Sequence, residues 1–281
     1  MAALLSTWTS FAQTPARVVI GGRDVAVWKP AAPAPSSGSP VIVFLHGFSG
    51  CNTQSVFLME ALASAGYLVL APNHQDARCG SARHDSVRGW RPEEPFQKPL
   101  QWTEATYRDR ADDIRAVLDA VLSGPSFQGV RVDAYRVGIA GHSLGGYTAL
   151  GVSGAWPAWK DSRILAVLAL SPYTNPYLDN GALGRLDVPV MYQGGTLDLG
   201  ITPSVKRVSG AYERSSAPKY FVEFTGAGHL AWTDLTKRFQ RVINDYSVAF
   251  FDRYLKGKDV LARLTAQPWP DQVNIVKAGS R

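Results

Sequence analysis

The sequence predicts a doubly wound α/β fold, in which a mostly parallel sheet carries helices on both faces. Short apolar runs recur along the chain, with helical patterns between them. One run, residues 41–45, consists of five consecutive apolar residues, which is typical of a strand buried on both faces of a parallel sheet. Strands that alternate with helices along most of a chain indicate this class of fold.

Composition narrows the classes of function. A chain of 281 residues, 46% of them hydrophobic, can bury a sizeable core without metal or disulfide crosslinks. Twenty-nine Lys and Arg against 23 Asp and Glu give a net charge of +6, but the basic residues are scattered. We therefore expect no nucleic-acid partner. No apolar run reaches the roughly 18–20 residues of a membrane-spanning helix, so we expect no membrane span.

The ends and the cysteines indicate the domain organisation. Residues 1–16 are apolar without a positive charge, and we interpret them as an N-terminal arm before one domain at 17–281. This favours a cytoplasmic protein; the alternative is a secreted protein in which residues 1–16 are a trimmed export signal. Cys51 and Cys79 are too few for a disulfide scaffold, and whether they pair is left open, as is the oligomeric state.

The elements follow from local pattern. The Gly-Gly pair at 21–22 separates two short strands, and apolar residues from Ile114 to Leu122 recur at helical spacing until Gly-Pro ends the helix. The predicted strands are residues 17–20, 24–28, 41–45, 67–71, 136–140, 164–170, 188–192 and 220–224. The predicted helices are residues 53–65, 103–122, 144–153, one that starts at Thr202-Pro203, and about 234–255.

One long segment, residues 76–101, shows no clear periodicity. A loop of this length in a compact domain is usually functional or disordered. Because it leaves the carboxyl end of a strand, we expect it to fold over the mouth of a site at that edge.

A nucleophile motif lies at 141–145, where Gly-His-Ser-Leu-Gly matches G-x-S-x-G. The motif follows an apolar run and precedes a helical stretch, which is the strand-turn-helix setting that a nucleophile elbow requires. Its tight turn would project the hydroxyl of Ser143 at the carboxyl edge of the sheet, where open α/β sheets bind ligands. Ser143 is therefore the predicted nucleophile.

A serine hydroxyl needs a base, and the base needs an orienting acid. Among the five histidines, His229 follows a strand late in the chain and is the predicted base. His142 is expected to be a packed residue, His46 and His74 to line the site or brace loops, and His84 to be solvated. Asp198, which follows the strand at 188–192, is the predicted acid; its rivals are Asp179 and Asp187.

An oxyanion hole needs two backbone N–H donors. Leu144 follows the nucleophile at a helix N-terminus and would supply one. The loop at 46–50 reads His-Gly-Phe-Ser-Gly, and Phe48 would supply the other while its ring covers the acyl pocket.

These motifs together resemble the α/β-hydrolase serine esterases, over about residues 17–256. Within that superfamily the chain resembles the dienelactone-hydrolase, platelet-activating-factor acetylhydrolase, chlorophyllase and polyester-hydrolase-like group. The turn from Asn73 to Asp76 and the helix with Arg108 and Asp112 are similar to the acetylhydrolase branch. One departure is that dienelactone hydrolases proper use a cysteine where Ser143 stands. The resemblance implies the α/β-hydrolase fold, with the 76–101 insertion over the active site.

We therefore expect a serine carboxylic ester hydrolase without a metal or organic cofactor. It would act through an acyl-enzyme on small-molecule esters with short acyl chains or small aromatic groups. The alternatives are an acyl-lipid, lactone or polyester hydrolase with the same triad, or a lyase of the hydroxynitrile-lyase type. The residues expected to contact substrate are Trp90, Trp102, Tyr173 and Trp232.

Overall fold

The structure, a computed structural model, describes residues 14–78, 96–216 and 218–279. Within these ranges a sheet of ten strands runs through the molecule. The strands are β1 (Ala16–Ile20), β2 (Arg23–Trp28), β3 (Ser39–Leu45), β4 (Leu68–Pro72), β5 (Ser126–Phe127), β6 (Val130–His142), β7 (Ile164–Leu170), β8 (Val190–Gly195), β9 (Lys219–Phe224) and β10 (Val273–Gly279).

The strand order is β1-β2-β4-β3-β6-β7-β8-β9-β10, with β5 paired to the start of β6. The six strands from β4 to β9 in this order are parallel. Antiparallel strands β1 and β2 flank one side, and antiparallel β10 pairs with β9 on the other. The mostly parallel sheet that the sequence predicts is confirmed, whereas β10 is not among the predicted strands.

Helices cover both faces of the sheet. They are α1 (Val56–Ser64), α2 (Arg108–Val121), α3 (Leu144–Leu150), α4 (Asn175–Leu178), α5 (Thr202–Lys206), α6 (Ala211–Arg214), α7 (Gln240–Lys256) and α8 (Leu261–Thr265). Alternate residues of β3 belong to different cores: Val43 lies in the core that contains residues of α2 and α3, and Phe44 lies in the core that contains residues of α1 and α7. This burial on both faces explains why the strand reads as an uninterrupted apolar run.

Helix α2 begins five residues later than the sequence pattern predicts. Tyr107 precedes the helix with φ of 61°, in the left-handed region, so the chain turns there before the helix starts. No helix in the described ranges is both long and apolar enough to cross a membrane. The predicted arm at 1–16 lies largely outside the described residues.

Candidate active site

The predicted nucleophile lies on a sharp turn between β6 and α3. Ser143 has φ of 55° and ψ of −115°, a strained conformation for a non-glycine residue. The flanking glycines make the turn possible, because a Cβ on Gly145 would lie 2.1 Å from the carbonyl oxygen of Leu45. A Cβ on Gly141 would lie 2.2 Å from the carbonyl oxygen of Gly145. The G-x-S-x-G pattern is thus a packing requirement of this strand-turn-helix unit.

The predicted base lies within hydrogen-bond distance of this serine. His229 follows β9 in a short helical turn, and its Nε2 is 2.9 Å from Ser143 Oγ. To accept the hydrogen of the serine hydroxyl, Nε2 must be unprotonated. In that tautomer the ring hydrogen is on Nδ1.

The predicted acid follows β8 and faces the other side of that imidazole. Asp198 Oδ1 lies 3.2 Å from His229 Nδ1, and Thr202 Oγ1 donates to Asp198 Oδ2 at 2.9 Å. Burial raises the pKa of Asp198, but hydrogen bonds from His229, a buried serine (Ser171) and Thr202 outweigh it and hold the pKa below its ordinary value. Asp198 is therefore an anion at neutral pH.

Neither rival acid occupies this position. Asp179 is exposed at the end of α4. Asp187 precedes β8 and forms an ion pair with Lys160 at 2.5 Å. Asp198 is therefore the one of the three candidates that the structure places against His229.

The loop after β3, residues 46–50, packs against the nucleophile. A Cβ on Gly47 would lie 3.4 Å from Ser143 Cβ. Phe48 follows Gly47 and its ring lines the cavity in front of the serine. Leu144 is the first residue of α3, where backbone N–H groups have no intrahelical acceptor. Both predicted oxyanion residues therefore lie in segments that adjoin Ser143.

A buried ion pair between Arg110 and Asp76 supports the 46–50 loop. Arg110 is fully buried on α2, and its Nη2 donates to both carboxylate oxygens of Asp76 at 2.7 Å. Arg110 Nη1 also donates to the carbonyl oxygen of His46 at 2.9 Å, and Asp76 Oδ2 accepts the N–H of Ser49 at 2.9 Å. Burial alone would raise the pKa of Asp76, but the charge and hydrogen bonds of Arg110 hold it well below the ordinary range.

This pair was not predicted as part of the site. The resemblance pointed to Arg108 and Asp112 on α2, but these residues form a half-exposed pair at 3.9 Å. Arg110 could have been found from spacing, because it lies four residues before Ile114 on the buried stripe of the helix. A charged residue on an apolar stripe indicates a buried partner.

His46 and His74 brace the same loop and are absent from the residues that line the cavity. His46 Nδ1 donates to the carbonyl oxygen of Gly47 at 2.7 Å, and its Nε2 accepts the N–H of His74 at 3.1 Å. Burial, followed by the charge of Arg110, lowers the pKa of His46 well below its ordinary value. His74 Nδ1 lies 2.9 Å from Asp113 Oδ2 on α2.

His142, inside the nucleophile motif, joins three loops. Its Nε2 donates to the carbonyl oxygen of His229 at 2.8 Å, and its Nδ1 accepts from Gln54 Nε2 at 3.0 Å. Gln54 Oε1 in turn accepts the N–H of Gly47 at 3.0 Å. Burial, with a smaller effect of His229, lowers the pKa of His142 to about 3. His142 is thus a packed, neutral residue, as the sequence suggested.

Acid is expected to destabilise the fold through these neutral histidines. Because their folded-state pKa values lie below the unfolded value near 6.5, the unfolded chain binds more protons as the pH falls below 6.5. We expect His46 and His142 together to lower the free energy of unfolding by up to about 4 kcal/mol between pH 7 and pH 5. Denaturant unfolding at both pH values measures this.

The control is His142→Gln, which keeps a donor and an acceptor but cannot titrate in this range. It should remove about half of the pH dependence. A free energy of unfolding that is flat from pH 7 to pH 5 in the unmodified protein would contradict the assignment of neutral buried histidines.

The segment after His229 is hydrogen-bonded to the start of α1. Ser55 Oγ donates to the carbonyl oxygen of Trp232 at 2.6 Å. The carboxylate of Asp234 accepts the N–H groups of Val56 and Phe57 at 2.9 and 3.2 Å. An anion at a helix N-terminus is favourable because the first N–H groups have no acceptor within the helix.

A cavity of about 780 Å³ opens in front of Ser143 and His229. Phe48, Phe96 and Tyr173 form an aromatic wall, in which the ring of Phe96 makes edge contacts with the other two rings. The Tyr173 hydroxyl donates to the carbonyl oxygen of Phe96. The other lining residues are Gly47, Ser49, Gly50, Thr53, Gln54, Gln97, His142, Asn175, Gly200, Ile201, Leu230, Thr233, Asp234 and Leu235.

Of the four residues expected to contact substrate, Tyr173 lines this cavity. Trp102 and Trp232 do not, which corrects the prediction for these two. Trp102 lies behind the wall, 5.4 Å from Phe96 between ring centroids. Trp232 is fully buried and donates its Nε1 hydrogen to Gln193 Oε1 at 3.0 Å. Trp90 lies outside the described residues.

The end of the predicted insertion, from Phe96 onward, contributes to the cavity, and residues 79–95 of it lie outside the described residues. Cys51 follows the 46–50 loop and is disulfide-bonded. Cys79, the other cysteine of the sequence, lies outside the described residues. Across the described ranges, no three His, Cys, Asp or Glu side chains are grouped so that they could hold a metal ion.

Comparison with known proteins agrees with this fold. The profile of the family described as "Alpha/beta hydrolase family" matches residues 42–276. The chain belongs to the alpha/beta hydrolase family.

The chain is also similar to cutinases of Thermobifida. It is 27% identical to Cutinase est1 of Thermobifida alba over 217 residues, which cover 76% of this chain and 60% of that protein. It is 30% identical over 149 residues to Cutinase 1 of Thermobifida cellulosilytica, covering 52% of each chain. The cutinase of Thermobifida fusca (strain YX) is 30% identical over 149 residues, covering 52% of this chain and 45% of that protein. The chain thus spans between 45% and 60% of the length of these relatives.

Proposed function

We propose that this protein is a serine carboxylic ester hydrolase that acts on short-chain or small aromatic esters through an acyl-enzyme. The observation that carries the proposal is the chain of contacts from Ser143 through His229 to Asp198 at the base of an open cavity. Nucleophile, base and orienting acid in hydrogen-bond reach are the requirements for serine-based acyl transfer. The named similarity to cutinases also favours an ester substrate.

In the acylation step, Ser143 Oγ attacks the ester carbonyl carbon while His229 Nε2 takes the hydroxyl proton. The N–H groups of Phe48 and Leu144 are the proposed donors to the resulting oxyanion. The tetrahedral intermediate expels the alcohol, which leaves with the proton from His229 Nε2. Asp198 keeps the imidazole in the Nδ1–H tautomer and stabilises the imidazolium.

Deacylation repeats these steps with water as the nucleophile. His229 Nε2 removes a proton from the water as its oxygen attacks the acyl carbon. The same proton then passes to Ser143 Oγ as the carboxylic acid leaves. No group beyond the protein and water is needed to balance either step.

The aromatic wall supports small apolar or aromatic groups in the substrate. Phe48, Phe96 and Tyr173 line the cavity, and aromatic surfaces bind apolar groups by removing them from water. A second candidate function, polyester or acyl-lipid hydrolysis with the same triad, is favoured by the cutinase matches and by Leu230 and Leu235. These leucines line the cavity with 51% and 80% of their surface exposed.

We also propose that residues 17–281 form one domain and that the protein falls within the dienelactone-hydrolase and acetylhydrolase-like group. The continuous sheet from β1 to β10 supports one domain. His74 and Asp76 hydrogen-bond to residues of the 46–50 loop. These contacts support the place of the protein in that group, since the turn from Asn73 to Asp76 is similar to the acetylhydrolase branch.

Initial rates on p-nitrophenyl esters from acetate to palmitate test the proposed activity, with Ser143→Ala as the blank. We expect kcat/KM to be highest for short acyl chains and to vanish in the variant. A maximum at long chains, or release of acid from polyester particles that exceeds turnover of soluble esters, would favour the second candidate. If no ester is turned over in a Ser143-dependent manner, the esterase proposal is wrong, and cyanohydrin cleavage would be assayed next.

A further inference from the structure

A buried serine outside the predicted triad touches both the acid and the base. Ser171 directly follows β7 and is fully buried. Its Oγ lies 2.5 Å from Asp198 Oδ2 and 2.8 Å from His229 Nδ1. The second distance is shorter than the 3.2 Å between Asp198 Oδ1 and His229 Nδ1. The nearest oxygen to the imidazole N–H is therefore a hydroxyl and not the carboxylate.

The direction of each hydrogen bond follows from the nucleophile. In the proposed mechanism Nε2 of His229 accepts from Ser143 Oγ, 2.9 Å away, so Nδ1 carries the hydrogen and can only donate. Ser171 Oγ therefore accepts from His229, and its own single hydrogen is directed to Asp198 Oδ2. Thr202 Oγ1 completes the acceptor capacity of that oxygen, while its lone pair accepts the N–H of Gly195 at 2.9 Å. The Nδ1 hydrogen of His229 therefore has two acceptors in reach, Ser171 Oγ at 2.8 Å and Asp198 Oδ1 at 3.2 Å.

The backbone at Ser171 adds a second observation. Its φ is 43°, in the left-handed region that favours glycine. Its N–H donates to the carbonyl oxygen of Gln193 on β8 at 2.8 Å, which any residue could do. Glycine would adopt this backbone conformation with less strain than serine. We therefore infer that the hydroxyl group is the reason for a serine at position 171.

We propose that Ser171 is a positioning residue that relays the hydrogen bond between His229 and Asp198. It accepts the Nδ1 hydrogen and passes a hydrogen bond to the carboxylate, so that the acid orients the base partly through this hydroxyl. When Nε2 gains the proton of Ser143, the Ser171 hydroxyl and the Asp198 carboxylate together stabilise the positive charge of the imidazolium. The inference rests on the proposed esterase function.

Two substitutions distinguish the effect of the Ser171 hydroxyl from the effect of the backbone conformation at this position. Ser171→Ala and Ser171→Gly both remove Oγ, but only glycine also relieves the left-handed conformation. We expect each variant to lower kcat by about 10- to 100-fold with KM within about twofold, since orientation of the base matters in the transition state. We also expect Ser171→Gly to unfold at a temperature at least equal to that of Ser171→Ala.

The matched control is Ser153→Ala. Ser153 is a buried serine beyond α3 whose Oγ donates to the carbonyl oxygen of Ala149 at 2.7 Å, away from the catalytic cluster. Its kcat should stay within about twofold of the unmodified protein. Equal losses in the two Ser171 variants, without a loss in the control, would assign the effect to the hydroxyl.

A double-variant cycle tests whether Ser171 acts through the acid. If the relay exists, Ser171→Ala should cost less than about threefold in kcat when Asp198→Asn is already present. Multiplicative losses in the double variant, or unchanged kcat in either Ser171 variant, would overturn the relay. The proposed function fails separately: it fails if Ser143→Ala retains turnover, whatever the Ser171 variants do.

Discussion

Ser143→Ala and His229→Ala are each expected to lower kcat for ester hydrolysis by about 10⁵- to 10⁶-fold, and the double variant should be no slower than either. The reason is the 2.9 Å contact between His229 Nε2 and Ser143 Oγ. In the proposed mechanism, the base has no function without the hydroxyl that it deprotonates, and the hydroxyl is a poor nucleophile without the base. The two residues act as one unit, so their losses should not multiply.

Steady-state kcat on a short p-nitrophenyl ester measures these losses, with thermal unfolding to confirm that each variant is folded. Asp198→Asn is expected to cost about 10⁴-fold by favouring the wrong tautomer of the imidazole. A loss below tenfold would show that another group orients His229. Losses that multiply in the Ser143 and His229 double variant would show that the two side chains act in separate steps.

Arg110→Met is expected to lower the free energy of unfolding by about 3–5 kcal/mol. Arg110 is fully buried and donates to both oxygens of the Asp76 carboxylate, so its removal leaves a buried anion without a counter-charge. The double variant Arg110→Met, Asp76→Asn should be more stable than Arg110→Met, because no uncompensated charge remains. Denaturant unfolding at pH 7 measures both.

The chain offers a matched control on the same helix. Arg108→Met removes a half-exposed pair with Asp112 and should change the free energy of unfolding by less than about 1 kcal/mol.

The contribution of Asp76 to the free energy of unfolding is expected to decrease in acid. Because the pKa of Asp76 is lowered in the folded state, its stabilisation is present above its unfolded pKa near 4 and is lost as the pH falls below it. Equal stability of the single and double variants would contradict a charge-compensating role for Arg110.

Much of the fold could be predicted because the parallel strands carry a strong signal. A strand buried on both faces, such as residues 41–45, must be apolar throughout, and this pattern is visible without a structure. The edge strand β10 has only its first residue fully buried, so no comparable apolar run marks it. Helix α2 was predicted too long because the left-handed turn at Tyr107 leaves no periodic trace in the sequence.

The candidate site was likewise predictable only in part. Ser143, His229 and Asp198 could be placed because each follows a recognisable strand, and parallel strands end at one edge of the sheet. Arg110 and Ser171 contact the residues of the site without lining the cavity. Their positions could not be predicted, because the side-chain contacts that they make across the fold leave no pattern of spacing in the sequence. The tryptophans illustrate the opposite error, since a large ring near a catalytic loop in sequence can pack into the core, as Trp232 does.

The hydrogen bonds that join the His229 segment to the start of α1 also bear on how the protein folds. The bond between Ser55 and Trp232 joins residues 177 positions apart in the chain. We expect contacts of such long range to form late in folding, because the entropy of closing the intervening loop must be overcome first. A chain still being synthesised therefore cannot place His229 beside Ser143 until β9 and its following turn have joined the sheet. During refolding, recovery of the proposed ester hydrolysis is therefore expected to follow the joining of these distant segments and not formation of the turn at Ser143 alone.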